Sequence, residues 1–313
     1  MPDPRIQKAL RALSDNIEQV IVGKKEVIDL AIITLLCRGH LLIEDVPGLG
    51  KTMLARAIAG SLSLDFKRVQ FTPDLLPSDV TGVSIYNQKS GEFDFRPGPV
   101  FTNLLLADEI NRATPRTQSS LLESMEERQV TTDGTTRPLP PVFMVVATQN
   151  PIELQGTYPL PEAQLDRFFM RVSVGYPARD EEVRVMEMQM REHPIHGIKP
   201  VLTEEHVRFM QNAVTEVHID RSLLAYIVDI VNATRKHPEL LVGASPRGSL
   251  SLMRAAQAMV LLRGMEFVEP TVIKTLARHV LTHRLIIKPQ ARLKGTTEAK
   301  VVEEILHGIP APV

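Results

Sequence analysis

The feature that most constrains this chain is a glycine-rich loop between a short apolar strand and a helix. The apolar residues 41–43 predict the strand, and the helix is predicted over residues 51–59. The loop reads Asp45-Val46-Pro47-Gly48-Leu49-Gly50-Lys51-Thr52. Glycines let backbone N–H groups turn towards phosphate oxygens, and the N-terminus of the helix adds partial positive charge. The pattern therefore predicts a phosphate-binding loop.

Within this loop, we expect Lys51 to neutralise the β- and γ-phosphates of a nucleotide and Thr52 to offer its hydroxyl to Mg²⁺. Asp45 stands where the phosphate-binding pattern has its first glycine. That position begins the turn and need not touch phosphate. The alternative is an ordinary glycine-rich turn, which the Lys-Thr pair after the last glycine disfavours. The residues expected to contact the nucleotide are Val46, Pro47, Gly48, Leu49, Gly50, Lys51, Thr52 and Met53.

Two further apolar strands end in polar side chains. Residues 104–107 are followed by Asp108 and Glu109, and residues 142–147 lead to Asn150. If these strands lie beside the loop, Asp108 can hold Mg²⁺ through water, and Glu109 can orient and deprotonate the attacking water. Asn150 is the candidate for positioning that water against the γ-phosphate. Without the loop, the Asp-Glu pair would be interpreted as a solvated strand end.

The order of the predicted elements indicates two domains. Short apolar strands alternate with helices over residues 1–176, which is typical of an α/β fold with a parallel sheet. Amphipathic helices follow over residues 177–313. We therefore predict an αβα nucleotide-binding core followed by a small all-helical lid domain.

Two segments interrupt the alternation of strands and helices. Residues from about 83 to 100 carry two strand patterns around a polar, glycine-containing tip and predict a β-hairpin. Residues from about 129 to 143 predict a second hairpin, which turns at Asp133 and Gly134 because this dipeptide favours tight hairpin turns. Both hairpins lie within the predicted α/β domain.

Composition limits the classes of partner. The net charge is -1 and no basic run is visible, so we expect no nucleic-acid partner. The most apolar segment, residues 31–37, is too short to span a bilayer, and its Cys37 is the chain's one cysteine. A lone cysteine excludes an intramolecular disulfide and fits a reducing compartment. We expect a soluble, cytoplasmic protein without a membrane span.

Some polar residues are interpreted as structural. His279 and His283 have the spacing of a helical metal pair, but no third ligand accompanies them, so we expect solvated or capping histidines. Glu126 and Glu127 are interpreted as a solvated helix face.

Taken together, these motifs resemble those of the AAA+ ATPases and specifically of the MoxR family. The resemblance covers roughly residues 6–290, and the segments that carry it are 44–52, 108–112, 147–151 and 160–168. It implies a P-loop AAA+ sandwich with a helical lid, and ATP and Mg²⁺ as ligands. The nucleotide is expected between core and lid, against the next protomer.

The resemblance also implies roles for particular residues. Asn150 matches sensor 1, and Arg167 matches the arginine finger that acts on the ATP of a neighbouring subunit. Arg247 matches sensor 2 on the lid and is expected to contact the γ-phosphate, while Val22 and Gly23 match the segment beside the adenine. From the residues alone, Arg167 could be a surface residue capping a strand start. Arg247 lies at a predicted helix start, where a cation is unfavourable to the helix dipole unless an anion is bound.

At the level of function, the resemblance implies a homo-oligomeric, hexameric ring that hydrolyses ATP. Such a ring would act as a remodelling chaperone on a protein client, in protein maturation or metal-cofactor insertion, with a von Willebrand factor A domain protein as partner. Its hairpins would face the central pore. Two alternatives are the ATPase subunit of a metal-chelatase-like complex and a nucleotide-gated scaffold with negligible turnover.

Overall fold

The computed structural model describes residues 4–151, 156–190 and 192–312. Over the first part of the chain, the helices and strands are α1 Pro4–Glu18, α2 Lys25–Leu36, β1 Leu41–Glu44, α3 Lys51–Ser61, β2 Phe66–Gln70, α4 Pro77–Thr81, β3 Gly82–Asn87, β4 Glu92–Pro97, β5 Leu104–Asp108, α5 Pro115–Glu127, β6 Gln129–Thr132, β7 Thr135–Pro138, β8 Met144–Gln149, α6 Glu162–Leu165 and β9 Met170–Val172. The remaining elements are α7 Arg179–Gln189, α8 Glu204–Glu216, α9 Arg221–Lys236, β10 Leu240–Val242, α10 Pro246–Arg263, α11 Pro270–Leu281, β11 Ile286–Ile287, α12 Pro289–Leu293 and α13 Glu298–Gly308. Short 3₁₀ helices lie at Ile110–Arg112, Pro194–Gly197 and Thr282–Arg284.

A parallel sheet forms the centre of the core. Among the described residues it has five strands in the order β2-β5-β8-β1-β9. Strands β1, β5 and β8 are buried almost throughout, because their apolar runs are covered on both faces. The carboxyl ends of parallel strands meet at one edge of a sheet, where ligands of such folds bind. The predicted α/β core with a parallel sheet is therefore confirmed.

Both predicted hairpins form outside this sheet. Strands β3 and β4 pair antiparallel, and β6 pairs with β7. The second hairpin turns at Asp133 and Gly134, which both have positive φ, 52° and 73°. Positive φ at both central residues is the conformation that the Asp-Gly dipeptide favours. The strands end at Pro97 and Pro138, short of the predicted limits.

The region after residue 177 is helical, as expected, with one exception. Strands β10 and β11 pair antiparallel, so this region is not entirely helical. Helices α8, α10 and α11 pack with α1 and α2 in one continuous hydrophobic core, whose members include Leu10, Ile28, Leu252 and Leu276. The domain boundary near residue 177 stays a prediction, because this core spans it.

Within the described ranges, none of the helices is both long enough and apolar enough to cross a membrane.

Candidate active site

The loop after β1 has the backbone of a phosphate-binding loop. Gly48 and Gly50 have φ values of 88° and 78°, and a Cβ at either position would meet no atom within 4 Å. The two glycines are therefore required by backbone conformation and not by crowding. Gly50 is the N-cap of α3, and no described side chain caps that helix. The first N–H groups of α3 are thus suited to bind an anion.

Lys51 is buried under this loop. Its ammonium group donates to the backbone oxygen of Asp45 at 2.7 Å. Burial lowers the pKa of Lys51, although Asp108, Asp45 and Glu109 act in the opposite direction. A phosphate in the cavity would add a further negative charge beside this ammonium group and favour its protonated form.

Asp45 explains how the first position of the loop can differ from glycine. Its carboxylate accepts hydrogen bonds from the N–H groups of Val46 and Gly175 at 3.0 and 2.7 Å and from the hydroxyl of Ser173 at 2.9 Å. Burial would raise the pKa of Asp45, but these hydrogen bonds outweigh it and lower the pKa overall. Asp45 therefore ties the loop to the chain after β9.

Asp108 ends β5 in the same cavity as Lys51 and Thr52. One carboxylate oxygen accepts from the Thr148 hydroxyl at 2.6 Å, and the other accepts from Arg68 Nη2 at 2.7 Å. A hydroxyl and a carboxylate are hard oxygen ligands, and Mg²⁺ is commonly held by one or two carboxylates together with phosphates and water. The residues present fit Mg²⁺.

Glu109 is held in an unusual backbone conformation. Its φ is 55°, and its N–H donates to Thr148 Oγ1 at 2.9 Å. A residue with a Cβ in this region is disfavoured by about 1–2 kcal/mol, so its surroundings must hold it there. The carboxylate accepts from Gln70 Nε2 at 2.8 Å and from Arg112 Nη1 at 3.0 Å. Glu109 and Asn150 line the cavity that also contains Lys51.

An apolar cavity adjoins the loop. Val22 and Leu49 line one side of it, and Val185 and Met188 of α7 line the other. Gly23 follows Val22 directly and lies against the side chain of Glu181 at the start of α7. A mostly apolar slot of this kind suits a flat heterocycle. The segment expected beside the adenine therefore lines a suitable cavity.

The two arginines implied by the resemblance lie elsewhere. Arg167 Nε contacts Glu126 Oε2 at 2.9 Å, and Arg247 contacts the other oxygen of Glu126. Both arginines line a separate cavity together with Asp166 and Arg284. The structure thus brings Arg247 to Arg167, and neither arginine lines the cavity that contains Lys51. The expected contact of Arg247 with the γ-phosphate of a nucleotide stays a prediction.

Sequence reasoning missed several residues at these two sites. Arg68, Gln70 and Thr148 contact the Asp108–Glu109 pair only because β2 and β8 flank β5, and nothing local to the sequence gives that strand order. Glu126 is exposed, as expected of a solvated helix face, but it also binds both arginines, which the sequence did not indicate. His283 is not solvated, because it is buried against the backbone oxygen of Phe168.

Comparisons with known proteins bear on this geometry. A family model described as the ATPase family associated with various cellular activities matches residues 40–170, and an AAA lid domain model matches residues 232–305. The uncharacterized protein YeaC of Bacillus subtilis is 52% identical over 299 residues, which cover 96% of this chain and 93% of that protein. The chaperone MoxR1 of Mycobacterium tuberculosis is 40% identical over 306 residues, which cover 95% and 81% of the two chains. The solved structure of a candidate ATPase from Cytophaga hutchinsonii matches with a TM-score of 0.92 and 39% identity, over 99% of this chain and 97% of that one.

Proposed function

Because the chain belongs to the MoxR family of AAA+ ATPases, we propose that it hydrolyses magnesium-bound ATP at an active site shared by two neighbouring subunits. One subunit supplies the loop cavity, with Lys51 and Glu109, and the next supplies Arg167 and Arg247. The observation that supports this division is that the two arginines share Glu126 and line a different cavity from that of Lys51.

In the loop cavity, the N–H groups and Lys51 bind the β- and γ-phosphates. Thr52 and Asp108 would hold Mg²⁺, which when bound would neutralise phosphate charge. Glu109 orients a water molecule and accepts its proton as the water oxygen attacks the γ-phosphorus, and the bond to the bridging oxygen of ADP breaks. Asn150 donates from its amide to keep this water in line.

The arginines of the adjacent subunit complete the reaction. Arginine fingers stabilise the charge of the transition state by about 10³–10⁵-fold in rate. A head-to-tail contact of this kind closes into a ring when its rotation allows, and we propose the hexamer typical of the family. Activity then depends on assembly.

We assign the energy of hydrolysis to remodelling of a protein client. A relative is named chaperone MoxR1, and the hairpin of β3 and β4 exposes the aromatic rings of Tyr86 and Phe93, which suit contact with an unfolded segment. A von Willebrand factor A domain protein is the proposed partner, and metal-cofactor insertion is one form of maturation such a pair could serve. The free cysteine Cys37 fits a cytoplasmic location.

Two alternatives make different predictions. A metal-chelatase-like ATPase subunit, which also carries such hairpins, would support insertion of a metal into a porphyrin in a reconstituted complex. A nucleotide-gated scaffold would bind ATP without releasing phosphate. Neither predicts client remodelling that depends on turnover.

The direct test of the base is Glu109→Gln, with phosphate release and nucleotide binding measured on the same preparation. We expect turnover to be lost while ATP binding is retained, because the amide keeps the shape of the side chain but accepts no proton. Glu127→Gln, which changes an exposed carboxylate at the end of α5, is the control and should match the wild type. Normal hydrolysis by Glu109→Gln would remove Glu109 from this role.

A further inference from the structure

We propose that the ion pair of Asp166 and Arg284 is a positioning device that fixes Arg167 and Arg247 for the nucleotide of the neighbouring subunit. This inference rests on the proposed function, since it assumes that the two arginines act across the subunit contact. Neither Asp166 nor Arg284 is assigned to contact ATP, so both would act through other residues.

Arg284 is a charged group buried where lid and core meet. Its side chain is 2% exposed, and its Nε donates to Asp166 Oδ1 at 2.8 Å. Its Nη2 donates to the backbone oxygen of Phe168 at 2.8 Å, and its Nη1 donates to that of Phe169 at 3.3 Å. A buried guanidinium is stable only when it is paired in this way. Burial lowers the pKa of Arg284 to about 10, so it remains a cation at neutral pH.

These contacts hold the residues on both sides of Arg167 in the chain. Asp166 precedes Arg167 in the chain and Phe168 follows it, and both are bound to the same guanidinium. His283 is also buried and lies with its Nε2 at 3.0 Å from the backbone oxygen of Phe168. The backbone that carries Arg167 is therefore fixed from the lid, and its side chain is held by Glu126.

The same carboxylate also reaches the helix that carries Arg247. Asp166 Oδ2 accepts a hydrogen bond from the hydroxyl of Ser245 at 3.1 Å, and Ser245 is the N-cap of α10. The hydroxyl oxygen of Ser245 in turn accepts from the N–H of Arg247 at 3.2 Å. One aspartate thus links the segment of Arg167 to the first turn of α10, which sets the relative position of the two arginines.

Such fixation matters because transition-state contacts are sensitive to position. A displacement of about 1 Å can reduce a rate by about 100-fold, even when it arises from a residue that does not touch the reacting atoms. Loss of the ion pair should therefore lower kcat and leave ATP affinity unchanged, because the loop cavity is intact in the same subunit.

The first experiment compares Asp166→Asn with a matched control, Glu298→Gln. The pair of Arg292 and Glu298 has the same 2.8 Å separation, and both carboxylate side chains are 23% exposed, but Glu298 lies on α13. We expect Asp166→Asn to lower kcat by about 10- to 100-fold with an unchanged dissociation constant for ATP, and Glu298→Gln to leave both constants unchanged. Equal losses of kcat in the two variants would overturn the inference.

A second variant keeps the inference testable if Asp166→Asn does not fold. Arg284→Lys keeps a cation opposite Asp166, but its donors lie on one atom and cannot reproduce the planar fork in which three nitrogens of Arg284 reach Asp166, Phe168 and Phe169. Thermal unfolding of each variant is measured beside its kcat. If Asp166→Asn unfolds, the inference then depends on Arg284→Lys, which should fold and still lose about tenfold in kcat. A folded Arg284→Lys with wild-type kcat would overturn it.

The decisive readout is complementation between subunits. Asp166→Asn retains Glu109, and Glu109→Gln retains well-placed arginines, so mixed assemblies should show more turnover than either variant alone. Arg167→Ala mixed with Glu109→Gln is the reference pair. Recovery in the reference pair but not with Asp166→Asn would overturn the inference and leave the proposed function intact. Failure of the reference pair itself would overturn both.

Discussion

The loop cavity and the arginine cluster of Arg167, Arg247 and Arg284 are built in different ways. The loop cavity is formed at one edge of a parallel sheet, and its groups follow strands β1, β5 and β8 directly. The arginine cluster is formed where the lid packs on the core, and its cations are held by Glu126 and Asp166. The residues proposed for nucleotide binding and proton transfer line the first cavity, and the cations proposed for the transition state line the second. In the proposed function, a single chain therefore carries two halves of an active site in separate cavities.

The two regions therefore respond differently to the loss of a cation. Arg167→Ala is expected to lower kcat by about 10³-fold or more and to leave ATP binding unchanged, because the arginine serves only the transition state of the neighbouring subunit. Steady-state turnover and equilibrium nucleotide binding measure the two quantities. Arg292→Ala, which breaks an ion pair elsewhere on the lid, should leave both unchanged. Weaker ATP binding by Arg167→Ala would contradict this prediction, because it would mean that Arg167 helps to bind the nucleotide.

Removing the cation of the loop cavity should, in contrast, weaken ATP binding. Lys51→Met keeps the apolar stem but removes the ammonium group, and we expect ATP binding to weaken by about 10- to 100-fold, which is the range of a charge-assisted hydrogen bond. Turnover should fall at least as much. Lys67→Met, an exposed lysine on β2, is the control. Unchanged affinity in Lys51→Met would contradict the assignment of the loop.

The halves of the site also differ in how far the sequence predicts them. Lys51, Thr52, Asp108 and Glu109 are found by spacing, because each lies within a few residues of a strand end. The partners of those carboxylates depend on strand order, which no local pattern encodes. The placement of Arg247 depends on how α10 packs over a long sequence distance, so motif matching identifies the residue but not its location.

Acid should lower the free energy of unfolding through different groups in the two regions, and at different pH values. His40 lines the arginine cavity, donating from Nε2 to the backbone oxygen of Met125 at 3.1 Å, and burial lowers its pKa to about 3. Between this value and about 6.5, the unfolded chain binds a proton that the folded chain does not, so the free energy of unfolding falls as the pH falls, by up to about 1.4 kcal/mol per pH unit. The lowered pKa of Asp45 acts only at lower pH, near and below the ordinary aspartate value.

This dependence can be measured by urea unfolding at several pH values between neutral and mildly acidic. The wild type should lose stability across this window, and His40→Gln should lose less, because its side chain cannot be protonated. The same slope in both proteins would assign the acid sensitivity to another group.

The smallest effect is expected at Glu126. Its ion pairs with Arg167 and Arg247 are partly exposed, and such pairs contribute about 0–1 kcal/mol each. Glu126→Gln removes both pairs and should therefore change the free energy of unfolding by less than about 2 kcal/mol, measured by urea titration at neutral pH. A much larger loss would mean that Glu126 supports the fold, and that the cluster is structural.

The division of the active site between subunits is tested most directly by mixing Arg167→Ala with Glu109→Gln in equal amounts and measuring phosphate release. Each protein alone should be nearly inactive. In randomly mixed rings, about a quarter of the contacts join an intact Glu109 to an intact Arg167, so turnover should rise to about a quarter of the wild-type value. A mixture no more active than its two components would contradict the account.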